Sequence, residues 1–76
     1  MTIRVEGDLV ILEGRCSAED AETLLIAFQD RPDLAVDASG LSRLHLAVAQ
    51  VLLTLRPSIH ARPGHDLLTR TVFDIL

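Results

Sequence analysis

The sequence predicts an α/β fold: one small domain in which a mixed four-stranded sheet carries its helices mainly on one face, in the order β-β-α-β-α-β-α. Three observations predict it. The 76 residues leave room for one domain and no second. The chain opens with period-two alternation and a short apolar run joined by a Gly-Asp turn, the pattern of a hairpin. After that hairpin, apolar stripes at helical spacing alternate with short strand-like runs, and strands separated by helices pair in parallel through right-handed crossovers.

Each element has its own warrant. Thr2-Ile3-Arg4-Val5-Glu6 alternates polar and apolar residues, as a half-buried strand requires. Gly7-Asp8 supplies the turn, and the apolar run Leu9-Val10-Ile11-Leu12 is the second strand. Ser17 with Asp20 three positions on resembles a capping box, with Asp standing in for Glu, and starts a helix at Ala18. Ala21, Leu24, Leu25 and Phe28 then share one helical face, while Glu19, Glu22 and Gln29 turn away from it. Pro32, within Asp30-Arg31-Pro32-Asp33, stops that helix. Leu34, Val36 and Ala38 mark an interior third strand, Ser39-Gly40 breaks it, and Leu41 and Leu44 read as apolar anchors in the loop that follows. A second helix from Leu46 to Leu55 is expected to bury Val48, Val51, Leu52 and Leu55 together with Leu44. Pro57 ends it, Ser58 to Arg62 is a short fourth strand, and Pro63-Gly64 turns the chain. The last helix, His65 to Leu76, carries Leu68, Val72, Ile75 and Leu76 on a stripe that Leu67 and Phe73 widen.

Composition narrows the functional classes. Hydrophobic residues are 49% and charged residues 24%, an ordinary globular balance. The net charge is −4, and all seven basic residues are arginines spread singly along the chain, so nucleic acid is excluded as the expected partner. Two phenylalanines are the only aromatics, too few to stack bases. Cys16 is alone and cannot close an internal disulfide. No segment combines basic residues with a long apolar core, so a cytoplasmic location without membrane insertion is expected.

The middle of the chain is more specific. Leu34 to Leu53 resembles, without a gap, the signature of STAS domains, the family of bacterial anti-sigma-factor antagonists. In that family a strand reading aliphatic-x-aliphatic-Asp-aliphatic-Ser-Gly-aliphatic leads through a short loop to Asp-Ser-Ser-Gly-Leu at the start of the next helix. Val36-Asp37-Ala38-Ser39-Gly40-Leu41 matches the first half. In the second half His45 takes the acidic position, Leu46 and Ala47 the two hydroxyl positions, and Val48 the glycine. The resemblance thus implies a single STAS-like domain over residues 1–76, lacking the final edge strand of longer members. It also implies a protein-interaction module of signal transduction and transcription regulation, with no catalysis and no cofactor. The usual phosphorylation switch is lost, because no hydroxyl remains where phosphate would add its repelling charge. A rival register lays Asp37-Ala38-Ser39-Gly40-Leu41 on Asp-Ser-Ser-Gly-Leu and makes Ser39 the phosphoacceptor, at the cost of deleting about eight residues between strand and helix.

Under both registers the expected contact surface is the loop from Ser39 to His45 with the first turn of the second helix, its partner-binding residues being Ser39, Gly40, Ser42, Arg43 and His45. The partner implied is an anti-sigma-type serine kinase or a related regulatory assembly. A regulatory subunit of a lipid-transport ABC complex is the alternative, and a homodimer through an apolar helix face is a further one. Competing chemistry is thin. His45, His60 and His65 stand at spacings of 15 and 5, which match no zinc motif. Asp37, Ser39 and His45 spell the components of a small hydrolase, without the glycine-flanked nucleophile or the cleft that such a triad needs. A structural role for Asp37, holding Ser39 and Gly40, is the expected one.

Overall fold

The computed structural model describes residues 2–64 and 67–76. The expected α/β order is present: β1 (Ile3–Glu6), β2 (Leu9–Cys16), α1 (Ala18–Asp30), β3 (Ala35–Leu44), α2 (Leu46–Leu55), β4 (Ser58–Ala61) and α3 (Leu67–Ile75). The four strands lie in the order β1-β2-β3-β4, with β1 antiparallel to β2 and the two later pairings parallel.

The register explains the layering. Ile3 sits opposite Leu12 and Val10 opposite Val36, so these side chains share one face. With Cys16, Ala38 and Leu41 they form a core against Ala21, Leu24 and Phe28 of α1, Val48 and Leu52 of α2, and Phe73 of α3. Burying such side chains is worth about 1.5–3 kcal/mol each, which makes this face the chief source of stability. The alternate residues form the other face, where Arg4 and Glu6 are exposed and Leu9, Ile11 and Asp37 are half-buried. On that face Arg4 bonds the carboxylates of both Glu6 and Glu13.

Two strands run further than the sequence pattern suggests. β3 continues through Ser39-Gly40 to Leu44, ten residues in all, where a strand end and a loop were expected. The reason is its neighbour: β2 also runs on past Leu12 to Cys16, and offers parallel partners to Gly40, Leu41, Arg43 and Leu44. Register shifts after Ile11 and after Gly14 absorb the mismatch, and Gly14 there adopts φ +66°, a conformation glycine reaches without a Cβ penalty. Leu41, fully buried, is therefore a strand residue of the core.

The helices keep their expected places but turn differently. In α1 the Ser17 backbone N–H donates to Asp20 Oδ2 at 2.7 Å, and the Thr2 hydroxyl donates to the same oxygen at 2.7 Å, so Asp20 ties the helix start to the strand before β2. Leu25, expected inside, is 37% exposed. Arg31 closes the far end: its guanidinium reaches Asp8 at 3.0 Å and Asp33 at 3.1 Å, clasping the hairpin turn. α2 buries Val48, Ala49 and Leu52, whereas Val51 is half-buried and Leu55 exposed. α2 ends on Arg56, a C-cap in the left-handed region at φ 46° whose backbone N–H donates to the Leu52 carbonyl at 2.8 Å, and Pro57 follows.

α3 shows the largest change from expectation. Phe73 is fully buried and Thr69 nearly so, while Ile75 is 58% exposed; Val72 is half-buried and Leu76 packs at the core margin. Arg62 fixes this rotation by donating to the Phe73 carbonyl at 2.6 Å. The expected start of this helix at His65, and the side chains of Leu67 and Leu68, lie outside the described residues.

Candidate docking edge at the start of α2

The two longer parallel strands end side by side, Cys16 beside Leu44, and each hands the chain to a helix. His45 lies there as the N-cap of α2. Its backbone N–H donates to the Cys16 carbonyl at 2.9 Å, and its Nδ1 accepts from the Ala47 backbone N–H at 3.0 Å. The imidazole thus does the work of a capping oxygen, satisfying one orphan donor of the first turn.

Around this cap the exposed side chains are Ser42, Arg43, His45 and Leu46, the last 69% exposed although it is leucine. Beside them runs a groove of about 490 Å³, lined by Arg43 and Leu44 of β3, Leu46 and Ala49 of α2, and Thr69, Thr71 and Val72 of α3. β4 pairs with β3 only as far as Asp37, and α3 packs against β3 and α2.

Of the residues expected to form one contact loop, Ser42, Arg43 and His45 are together at this edge. Ser39 and Gly40 are not: they lie mid-strand in β3, about 15 Å from its end at a rise of about 3.3 Å per residue. Their roles there are local. The Ser39 backbone N–H and hydroxyl donate to Asp37 Oδ1 at 3.0 and 2.7 Å, and these bonds hold the Asp37 carboxyl below its usual range. A Cβ at Gly40 would stand 3.3 Å from Glu13 Cγ on the adjacent strand, so this glycine accommodates the Glu13 side chain. Asp37 therefore bonds Ser39, while His45 Nδ1 is spent on the cap of its own helix.

Cys16, at the edge of β2, is buried, and burial with the nearby Asp20 charge pushes its thiol up to about 11. Among the described residues no group of three His, Cys, Asp or Glu side chains could hold a metal ion, and no helix is long and apolar enough to cross a membrane.

Three features of this edge escaped sequence reasoning. Leu46 looks like a buried helix residue until its face is known. Val72 reaches the groove only because α3 rotates about Phe73. Arg15 is the third: it stands directly opposite Arg43 in the parallel register, though 28 positions separate them. No local pattern signals that pairing.

The chain matches no protein-family model, no curated protein and no solved structure.

Proposed function

We propose that this protein is a non-catalytic protein-interaction module resembling anti-sigma-factor antagonists, and that it docks through Ser42, Arg43, His45 and Leu46 onto an anti-sigma-type serine kinase or a related regulatory protein. The observation that carries the reading is Leu46: a large apolar side chain held in solvent at the first position of a helix, beside an apolar groove. Leu46 extends the apolar lining of the groove onto the surface, and a contiguous apolar patch rimmed by polar residues such as Ser42, Arg43 and His45 is the kind of surface that marks a protein-interaction site. The first turn of α2 presents Leu46 and Ala47 where an antagonist's hydroxyls would be, so docking here is constitutive, with no phosphate to release it. The module's task is then to occupy its partner.

The test is site-specific photo-cross-linking in the native host. A photoreactive residue at Ser42 is expected to capture a defined protein partner, whereas the same group at Thr23, on the exposed side of α1, captures none. Capture of equal yield from both positions, or from neither, defeats the reading. Stoichiometric phosphate on Ser39, located by mass spectrometry, would restore the switch and favour the rival register.

A further inference from the structure

The chain has eleven acidic residues and seven basic ones, an excess that should leave few cations without a carboxylate. Arg4, Arg31 and Arg62 are indeed matched, to Glu6 and Glu13, to Asp8 and Asp33, and to Asp74. Arg15, Arg43, Arg56 and Arg70, by contrast, have no ion pair among the described residues. Juxtaposition sets Arg15 and Arg43 apart from the other two: they are direct cross-strand neighbours on β2 and β3, both exposed. Their strand partners Cys16 and Leu44 point to the core, so by alternation the two guanidinium stems share the opposite face. Glu13, two residues before Arg15, is already bonded to Arg4.

Like charges directly opposite each other across a strand pair are destabilising. Strands about 4.8 Å apart, however, bring the stems of two such arginines within reach of one carboxylate, whose two oxygens can accept from both. Among the described residues Arg43 is also the sole charged one lining the groove, whose other walls are Leu44, Leu46, Ala49, Val72 and two threonines. Arg43 is therefore the residue shared by the cross-strand arginine pair and the apolar slot.

We propose that Arg15 and Arg43, with the adjoining groove between β3, α2 and α3, bind an acidic segment of a partner protein, one carboxylate bridging the two guanidiniums while a neighbouring apolar side chain enters the groove. This rests on the docking reading above and names the chemistry of what docks. Charge complementarity selects the occupant. A second copy of this edge would bring four arginines together, and a basic or neutral segment would leave the pair unrelieved.

The test titrates the uniformly ¹⁵N-labelled full chain with an acetylated peptide of sequence aspartate-leucine-glutamate-leucine-aspartate, followed by NMR. Saturable shifts are expected at the Nε–H groups of Arg15 and Arg43 and at the backbone amides of Leu46, Ala49 and Val72. Affinity should fall about tenfold or more for the asparagine-glutamine version of the peptide, and for the Arg15→Gln/Arg43→Gln double variant with unchanged circular dichroism. Equal binding of the acidic and amide peptides, saturation at other residues, or no saturation overturns the proposal. So does inorganic phosphate reproducing the arginine shifts at equal affinity, since the site would then take an anion without a segment. The Ser42 cross-link separates the two levels. A cross-link that persists at full yield in the double variant overturns this inference and leaves the docking reading standing, whereas no cross-link from the wild-type chain overturns both.

Discussion

Replacing Phe73 by alanine is the sharpest probe of how α3 is held. Phe73 is fully buried in the core cluster, and Arg62 clamps its carbonyl at 2.6 Å. Truncation of a buried phenylalanine costs about 3–5 kcal/mol, the lost transfer energy plus the cavity left behind. At about 0.05–0.15 kcal/mol per residue a chain of this length has only about 4–11 kcal/mol in total, so the change removes about a quarter or more of the stability. Ile75 is the internal control: it lies two residues along the same helix, is equally apolar and is 58% exposed. Its alanine variant should cost under about 0.5 kcal/mol. Urea unfolding followed by circular dichroism at 222 nm reads both, with the slope checked so that a change in midpoint is a change in stability. Equal losses for Phe73→Ala and Ile75→Ala would refute the rotation of α3. With it would go the wall of the groove that Thr69 and Val72 supply.

Asp20 makes a pH-dependent prediction. Burial raises the energy of its charged form, but hydrogen bonds from Thr2 and Ser17 outweigh this and lower its pKa. A carboxylate with a depressed folded pKa contributes stability above its unfolded value of about 3.9 and loses it as pH falls through the folded value. Asp20→Asn should therefore cost about 0.5–1 kcal/mol at neutral pH, with the gap to wild type closing below about pH 4 in acid-titrated urea melts. Gly14→Ala should cost about 1 kcal/mol, because φ +66° is strained for alanine although nothing lies within 4 Å of the new Cβ. Gly64→Ala, which also meets open space but lacks a positive φ, should be neutral or slightly stabilising in the same assay. Cys16, buried with its thiol at about 11, is about one part in a thousand thiolate at pH 8. Its reaction with an aromatic disulfide reagent should wait for unfolding, and a burst in the native state would contradict the burial.

What the sequence by itself determined is local. Ser17 with Asp20, Pro32, Pro57 and the spacing of Ala21, Leu24 and Phe28 place helix ends and one buried face, because caps, prolines and periodicity act within a few residues. His45 at the head of α2 and the exposed Ser42-Arg43 pair were legible for the same reason. What only the tertiary structure decided depends on partners distant in the chain. Ser39-Gly40 looks like a strand break, yet β2 extends to Cys16 and draws β3 on to Leu44, since a free parallel ladder outweighs weak local turn preference. Phe73 and Ile75 are equally apolar, and only the packing of α3 against β3 and α2 buries one and exposes the other. The pairing of Arg15 with Arg43 is of the same kind. It comes from sheet register, which is set by which hydrophobic face is buried, and no property of either segment alone announces it.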